Sequence, residues 1–325
     1  MIHFIITLFL ATLFAQSQNL YHRKKLLMGV DFEFTVVAQN KIEADKYLDK
    51  AIEETIRIEN LISSWKDNSQ TTKINKNAGL KPVKVNRELV QLIKRSKRIS
   101  ELTNGLFDIS YASLDRIWYF DKVMPSIPDS MTIKESVSKI NYKNIIINES
   151  KSTIFLSKRK MKIGFGSIGK GYTAERVKYV LKKMGVKAGL INAAGDITTW
   201  GINPISKKWV INIANPDEIQ NKIGKFNLLD NSVVTSGNYA KYIEFNNKRY
   251  SHIINPKTGW PVSGLKSVTI FCKNAELADA IATAVFVMGK ELGLSMINKL
   301  KGIDCLLITN DGKIHSSNNL KLNYN

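Results

Sequence analysis

The densest glycine cluster of the chain comes close to two nucleotide-binding motifs. Gly164, Gly166 and Gly169 satisfy the spacing G-x-G-x-x-G, and Gly164 with Gly169 and Lys170 satisfies a Walker A pattern up to its last residue. That last residue is Gly171, where a P-loop needs a Ser or Thr hydroxyl to bind magnesium. The sequence therefore argues against a kinase or ATPase of the P-loop type.

A dinucleotide-binding fold of the Rossmann type also fits this cluster poorly. Such a fold places an acid at the end of the next strand, about 20 residues further on, whereas the corresponding segment ends in Asn192. Glycines nevertheless permit close approach of the backbone, and a helix that starts near Gly169 directs free N–H groups at an anion. We therefore expect a loop that cradles a phosphate, with a plain glycine turn before a helix as the alternative.

A carboxylate and a hydroxyl lie one helical turn apart near the end of the chain. Asp279 and Thr283 are four residues apart, so both side chains lie on one face of a helix and can bind one hard cation. The residues around them are mostly Ala and Ile, which predicts a largely buried helix, and a buried Asp needs a partner or a metal. Glu276 is expected at the rim. The alternative is a solvated acid beside an ordinary helix threonine.

One histidine stands out as a general acid or base. His252 lies directly before a turn rich in Pro and Gly, and functional side chains concentrate on such loops. The remaining histidines are His3, His22 and His315. A structural role for His252 is the alternative.

The charge balance predicts anionic partners. The chain has 325 residues and carries 48 Lys and Arg against 28 Asp and Glu, a net charge of +20. A field of this sign attracts phosphorylated small molecules, anionic lipid or nucleic acid. Because the lysines are spread through every segment and form no basic patch interleaved with aromatic residues, we expect no nucleic-acid partner.

The amino-terminal residues predict export. An apolar run from Ile2 to Phe14 is followed by Ala15-Gln16-Ser17, which fits the small-x-small pattern of signal peptidase cleavage. The run is shorter than the ~20 residues that span a bilayer. We therefore expect residues 1–17 to be a cleaved signal peptide, with an uncleaved anchor as the alternative.

The cysteine content is too low for a disulfide framework. Cys272 and Cys305 are the only two cysteines, and both lie in apolar segments that are typical of strands. We expect two buried thiols, with a single bridge as the alternative.

Hydrophobic periodicity predicts the elements that position these residues. Alternation over 30–36 predicts a strand, and apolar steps of three and four predict an amphipathic helix over about 41–63. Asn86 is the predicted N-cap of a second helix. Residues 121–139 contain two prolines and little periodicity, which predicts a surface excursion.

The rest of the chain mixes short strands with helices. Strands are predicted at 145–147, 154–156, 161–163, 187–192, 209–214, 231–235, 243–254 and 267–273, and helices at about 169–184, 275–288 and onward to about 300. Asp311-Gly312 predicts a tight hairpin turn. Such a mixture of hairpins and helices predicts an α+β protein and not a strict βαβ succession. Residues 18–325 are expected to form a single domain.

Taken in order, these segments resemble the FAD:protein FMN transferases, also called the ApbE family, from about Leu27 to Gly289. The likeness rests on residues 28–29 (MG), 59–65 (ENLISSW), 105–108 (GLFD), 166–172 (GSIGKGY), 195–196 (GD), 235–237 (TSG), 252–256 (HIINP), 258–259 (TG), 278–280 (ADA) and Thr283. Each motif is weak alone, but their order and combination are specific.

The resemblance implies a T-fold-like α+β architecture, in which two intimately packed halves hold FAD between them near Mg²⁺. The residues that it implies around the flavin nucleotide are Met28, Trp65, Leu106, Phe107, Asp108 and Lys170. It implies that Ser167, through its carbonyl, binds the metal together with Asp279 and Thr283. His252 and its loop are implied to lie near the pyrophosphate, and His252 and Asp279 are the residues expected to carry the chemistry.

One position departs from the family pattern. Many members carry an Asp, which contacts the nucleotide, where this chain has Gly164. Either another group replaces that contact, or the adenosine side is held differently.

The activity that the resemblance implies is transfer of FMN from FAD to a Thr or Ser hydroxyl of an acceptor protein, with release of AMP. The expected acceptor is a subunit of a membrane electron-transport complex. The expected location is the periplasm or the outer face of the inner membrane, where the basic surface would contact anionic lipid. An FAD pyrophosphatase that releases FMN and AMP, and a flavin-binding protein without turnover, are the alternatives.

Overall fold

The structure is a computed structural model that describes residues 19–114, 117–120, 124, 126–214, 222–238, 242–245 and 248–320. The predicted signal peptide, residues 1–17, lies outside the described residues, as do residues 121–123 and 125 of the predicted excursion. Within the described ranges, no helix is long and apolar enough to cross a membrane.

The helices and strands alternate irregularly along the chain. The helices are α1 (Lys41–Ile62), α2 (Gln70–Lys76), α3 (Arg87–Leu102), α4 (Ser130–Val137), α5 (Gly169–Lys183), α6 (Ala275–Met288) and α7 (Lys290–Ile297). The strands are β1 (Asn19–Leu27), β2 (Val30–Ala38), β3 (Val83–Lys84), β4 (Ile145–Asn148), β5 (Thr153–Leu156), β6 (Gly189–Ala193), β7 (Asp196–Trp200), β8 (Trp209–Ala214), β9 (Lys222–Leu228), β10 (Ser232–Gly237), β11 (Tyr242–Phe245), β12 (Lys248–Ser251), β13 (Leu265–Cys272), β14 (Ile303–Thr309) and β15 (Ile314–Ser316).

An antiparallel sheet with the strand order β1-β2-β6-β7-β10-β13-β14-β15 organises the described part of the chain. Its two halves meet where β7 pairs with β10, with Thr198 opposite Ser232 and Ile197 opposite Val233. Helix α5 packs on β6 and β7 of the first half, whereas α6 packs on β10 and β13 of the second. The predicted α+β class is confirmed.

Apolar layers cover both faces of this sheet, because neighbouring residues of a strand point to opposite sides. Val234 belongs to the large core beneath α1, α5 and α6. Val233 faces the opposite side, where it packs with Phe271 and with Trp209 and Leu228 of the β8–β9 hairpin. The long helices are thus held against one face of the sheet.

Side-chain caps determine where two of the helices begin. The Asn40 side chain accepts a hydrogen bond from the Glu43 N–H at 2.9 Å, and the Glu43 carboxylate accepts one from the Gln39 N–H at 2.8 Å. The Asn40 side chain thus caps the first turn of α1, and the Glu43 carboxylate binds the backbone of the residue before the cap. The Asn86 side chain accepts from the Glu88 N–H at 2.8 Å, which confirms the predicted N-cap of α3.

The segment 121–139 is more than a surface excursion. It contains α4, whose Ile133 is buried. A Cβ added to Gly259 would lie 2.5 Å from Val137 and 2.8 Å from Ile133, so α4 packs directly against the turn that follows His252. The sequence prediction is wrong here because the helix has only two buried residues and therefore a weak periodic pattern.

Two strand predictions are also wrong. Residues 161–163 form no strand, because the Asn75 side chain accepts from the Ile163 N–H at 2.8 Å and donates to the Ile163 carbonyl at 2.9 Å. Residues 243–254 contain a hairpin of β11 and β12 in place of one long strand. His252 directly follows β12.

Both cysteines are free and buried, as predicted. They lie on neighbouring strands β13 and β14, where Cys305 pairs with Ile270. Burial raises the pKa of Cys272 to about 11 and that of Cys305 to about 12. Neither thiol is therefore ionised near neutral pH.

Glu276 is not at a rim but is buried and paired with Arg95 of α3. The Arg95 Nε donates to Glu276 Oε1 at 2.6 Å and the Nη2 to Oε2 at 3.0 Å. The Glu276 side chain is 10% exposed and that of Arg95 41%. This bidentate pair joins α3 to the first turn of α6.

We expect Arg95→Ala to lower the free energy of unfolding by about 1–3 kcal/mol, because the substitution leaves the Glu276 carboxylate buried without its partner. Urea denaturation at pH 7 measures the change. Lys50→Ala removes one side of an exposed pair with Glu53 and should cost less than about 0.5 kcal/mol. Equal losses in the two variants would contradict the role of the Arg95 pair.

Candidate functional site

A cavity of about 470 Å³ opens where the two halves of the sheet meet. It lies between the start of α5, the face of α6, the end of β10 and two loops, one near Leu106 and one that begins at His252. The lining residues are Val30, Leu106, Phe107, Asp108, Tyr111, Gly166, Ser167, Lys170, Ala194, Thr235, Ser236, Gly237, His252, Ile253, Ile254, Pro256, Asp279, Thr283 and Val287. Both halves therefore contribute to one site.

The start of α5 fits against α6 because position 171 has no side chain. A Cβ on Gly171 would lie 2.1 Å from the Ala275 carbonyl oxygen and 2.8 Å from the Asp279 Cβ. At this close approach the Gly171 N–H donates to Asp279 Oδ2 at 3.0 Å. The N-terminus of α5, which was expected to face an anionic ligand, thus directs an N–H group at a carboxylate of the protein.

Asp196 is a second carboxylate of this site to which the sequence reasoning assigned no role. It is the first residue of β7, is fully buried, and pairs through Oδ2 with the Lys170 ammonium. Its other oxygen, Oδ1, is buried and has no hydrogen-bond partner within the described residues. An acid directly after Gly195, at the start of a strand, was the signal available in the sequence.

The two carboxylates affect each other's ionisation. Burial raises the pKa of Asp196 to about 7, the Lys170 ammonium opposes this rise, and the charge of Asp279 adds to it. Burial likewise raises the pKa of Asp279, against Lys170 and the Gly171 backbone N–H. Two ionised carboxylates at this depth require positive charge beside them.

The donor atoms of the site fit a hard divalent cation such as Mg²⁺. Asp279 and Thr283 share one face of α6 as predicted, and the Thr283 hydroxyl lies 3.5 Å from that of Ser236. Ser167 lines the same cavity, and the unpartnered Oδ1 of Asp196 offers a further oxygen. In the part of the chain that the structure describes, no cluster of three or more His, Cys, Asp or Glu residues occurs. A small number of carboxylates, combined with several hydroxyl or carbonyl oxygens, is typical of Mg²⁺ sites that also bind substrate phosphates.

We expect the affinity for Mg²⁺ to increase with pH. Because burial raises the pKa values of Asp196 and Asp279, protons compete with the cation below about pH 7. From about pH 6 to about pH 8 the Kd for Mg²⁺ should fall by about tenfold, as measured by isothermal titration calorimetry. A Kd that does not change over this range would contradict the shifted pKa values.

The free energy of unfolding of the metal-free protein should decrease as the pH rises, whereas the affinity for Mg²⁺ increases. A carboxyl group whose pKa is raised by folding contributes stability below its unfolded pKa, and this contribution is lost as the pH rises through the folded value, about 7 for Asp196. Asp196→Asn removes the titrating group, so its stability should depend less on pH. Thermal unfolding of both proteins in EDTA across this range provides the control.

His252 lies at the exposed side of the cavity, with its ring edge-on to Phe120 at 6.4 Å between centroids. Its loop is closed by hydrogen bonds from the Val262 N–H to the Ile253 carbonyl and from the Ser251 N–H to the Val262 carbonyl, both at 2.9 Å. The indole of Trp118 donates to the Gly259 carbonyl at 2.8 Å. The loop is thus well supported, while the imidazole remains accessible.

Four of the six predicted flavin-binding residues line the cavity, namely Leu106, Phe107, Asp108 and Lys170. The Asp108 carboxylate accepts from the Ser110 N–H at 2.7 Å through Oδ1 and from the Tyr142 N–H at 2.7 Å through Oδ2. Asp108 therefore joins the backbone of its own loop to the backbone at Tyr142.

Met28 and Trp65 do not line this cavity. The Met28 sulfur accepts from the Thr173 hydroxyl at 3.4 Å. Trp65 is 91% exposed, so its ring is free to contact a ligand that extends beyond the cavity. Their roles in flavin binding stay predictions.

Comparisons with known proteins agree with this architecture. The sequence model that defines the ApbE family matches residues 28–307 of this chain. A protein of Klebsiella pneumoniae named FAD:protein FMN transferase is 31% identical over 82% of this chain and 84% of its own length. One of the same name from Treponema pallidum is 27% identical over 91% of this chain and 86% of its own length.

A solved structure shares the fold over nearly the whole chain. The crystal structure of the ApbE protein from Thermotoga maritima superposes with a TM-score of 0.84 at 29% identity, and covers 92% of this chain and 97% of that chain. The T-fold-like architecture expected from the resemblance is thereby confirmed. This chain belongs to the ApbE family.

Proposed function

We propose that the protein is an FAD:protein FMN transferase that depends on Mg²⁺. It would attach FMN from FAD to a Thr or Ser hydroxyl of an acceptor protein and release AMP. The observation that carries this proposal is the pair of buried carboxylates, Asp196 and Asp279, beside Lys170 in a cavity between the two halves. Relatives named FAD:protein FMN transferase support the same activity.

The reaction exchanges the phosphoanhydride bond of FAD for a phosphoester bond to the acceptor. The acceptor oxygen forms a bond to the phosphorus of the FMN moiety, the bond from that phosphorus to the bridging oxygen breaks, and AMP leaves with that oxygen. Phosphoryl transfer of this kind needs mainly positioning and charge neutralisation. Mg²⁺, when bound, supplies charge neutralisation at the pyrophosphate.

The residues of the chain would divide the remaining tasks. Asp279, Thr283 and the Ser167 carbonyl would hold the cation, and the Lys170 ammonium would face the pyrophosphate. An imidazole nitrogen of His252 would take the proton of the acceptor hydroxyl, since His252 lies at the exposed side of the cavity where a protein side chain can enter. Leu106 and Phe107 would provide the apolar wall for the flavin ring.

The acceptor would be a protein of an electron-transport complex at a membrane. The pattern of residues 1–17 supports an exported enzyme that acts in the periplasm or at the outer face of the inner membrane. The net charge of +20 supports contact with anionic lipid. Binding to anionic vesicles that is lost at high salt would test this contact.

A second candidate is an FAD pyrophosphatase that uses the same site. It is favoured by the exposure of His252, because water reaches this imidazole as readily as an acceptor hydroxyl does. The products would then be free FMN and AMP.

One incubation separates these functions. The purified protein is mixed with FAD and Mg²⁺, with and without a threonine-containing acceptor domain, and AMP and the acceptor mass are measured. AMP together with an acceptor heavier by one FMN establishes the transferase. AMP without a modified acceptor indicates the pyrophosphatase, and bound FAD that yields no AMP indicates a flavin-binding protein.

A further inference from the structure

Tyr111 lines the cavity but has no task in the proposed transfer of FMN. It belongs to a short 3-10 turn, Ile109–Ser113, which directly follows Asp108. Its side chain reaches across to the glycine cluster: the hydroxyl oxygen lies 2.5 Å from where a Cβ on Gly166 would be and 3.7 Å from that of Gly164. The phenol therefore fills space that the missing side chains at these two positions leave open.

The hydroxyl of Tyr111 lies against the backbone of Gly166, because a Cβ at that position would be 2.5 Å from the phenol oxygen. Burial raises the pKa of Tyr111, and a hydrogen bond from the Gly166 backbone opposes this rise. A backbone N–H can donate but cannot accept, so it does not use the proton of the Tyr111 hydroxyl, which stays available. Within the described residues no acceptor receives that proton, while the residue lines the cavity.

The surroundings indicate which part of a ligand this proton meets. The Tyr111 hydroxyl lies beside Gly166, which directly precedes Ser167, and both Ser167 and Asp279 line the same cavity. A neutral O–H donor beside a cation site suits an anionic phosphate oxygen better than a flavin ring.

We propose that Tyr111 is a ligand-binding residue whose hydroxyl donates a hydrogen bond to a phosphate oxygen of the dinucleotide in the cavity. The inference rests on the proposed function, since it takes FAD as the ligand. It also identifies the group that occupies the space beside Gly164, where many family members are expected to have an acid. Any side chain at position 166 would displace this hydroxyl.

The variant Tyr111→Phe tests the proposal by its effect on two ligands. We expect the Kd for FAD, measured by quenching of flavin fluorescence, to rise about tenfold, the usual effect of losing one hydrogen bond to a charged group. The Kd for riboflavin, which has no phosphate, should change less than about twofold. Tyr179→Phe is the matched control, because Tyr179 lies on α5 away from the cavity, and should leave both Kd values unchanged.

A double-mutant cycle with Gly166→Ala adds a geometric test. The new methyl group would displace the Tyr111 hydroxyl, so Gly166→Ala alone should weaken FAD binding about as much as Tyr111→Phe. The double variant, in which the clash is absent, should bind FAD no more weakly than Tyr111→Phe alone. Additive losses would overturn the proposed contact.

The remaining outcomes separate this inference from the proposed function. If the wild type transfers FMN and Tyr111→Phe binds FAD normally, the inference fails and the function stands. Equal weakening of FAD and riboflavin binding would show a packing role and would also overturn the inference. A wild type that neither binds FAD nor transfers FMN overturns both.

Discussion

Asp279→Asn should reduce FMN transfer by more than about 100-fold, the largest loss of activity expected from a single substitution in this protein. The substituted amide keeps the size of the side chain but removes the negative charge, so the cation loses its only buried carboxylate on α6 that faces the cavity. The Gly171 N–H, which donates to Oδ2 at 3.0 Å, can still donate to the amide oxygen. Transfer rates at saturating FAD and a range of Mg²⁺ concentrations measure the effect.

The same variant should show a distinctive stability pattern. In the metal-free protein the charges of Asp279 and Asp196 repel, so Asp279→Asn should not lower the melting temperature and is expected to raise it. Mg²⁺ stabilises the wild type by mass action, and this increase should be absent in the variant. Glu276→Gln is the matched control: it alters a buried carboxylate one turn away that pairs with Arg95, so it should destabilise the protein but retain the Mg²⁺ response. Undiminished Mg²⁺-dependent transfer by Asp279→Asn would remove Asp279 from the mechanism.

Helix α6 could be predicted because its information is local. Helix α6 spans Ala275–Met288, as the apolar pattern and the following Gly289 predicted. The i, i+4 spacing then places Asp279 and Thr283 on one face whatever the rest of the chain does. The apolar residues around Asp279 correctly indicated that this acid is buried.

Asp196 could not be assigned by the same reasoning, because its place depends on contacts distant in sequence. It begins strand β7, which lies between β6 and β10, and its carboxylate pairs with the side chain of Lys170, 26 residues away. No local pattern encodes which strands become neighbours in an antiparallel sheet. Tyr111 was missed for the same reason, since its hydroxyl meets a glycine more than 50 residues further along the chain.

Strand β1 shows another limit of periodicity. Arg23, Lys24 and Lys25 interrupt any apolar alternation, yet the strand pairs with β2 along its whole length. Charged residues are typical of edge strands, where they discourage pairing with another molecule. A prediction based on burial therefore fails at the edge of a sheet.

The glycine cluster has a packing role that its sequence motif alone does not reveal. Its spacing indicated a phosphate loop, but position 171 is glycine because α6 lies against it, with the Ala275 carbonyl oxygen 2.1 Å from the place of a Cβ. The residue that excluded a P-loop is thus the residue that lets two helices approach closely. The motif therefore brings the N-terminus of α5 to the Asp279 carboxylate.

Gly171→Ala should consequently destabilise the fold and the site together. The methyl group can be accommodated only if α5 and α6 separate, because its nearest atoms belong to the backbone of Ala275 and to the Asp279 Cβ. We expect a loss of about 3 kcal/mol in the free energy of unfolding, although alanine favours a helix over glycine by ~1 kcal/mol. Transfer should fall by more than about tenfold even where the protein is folded, since the Gly171 N–H moves away from Asp279.

Gly169→Ala is the control that isolates this effect, because it adds the same methyl group to the same helix. There the nearest atom is the terminal Cδ1 of Ile62 at 3.0 Å, and a side-chain end can move where a carbonyl cannot. Its stability should remain within about 1 kcal/mol of the wild type, with the Mg²⁺ response retained. Equal losses in the two variants, measured by urea denaturation with and without Mg²⁺, would mean that helix composition and not the contact between α5 and α6 determines stability here. A loss confined to Gly171→Ala would establish that the cation site depends on how closely the two helices approach.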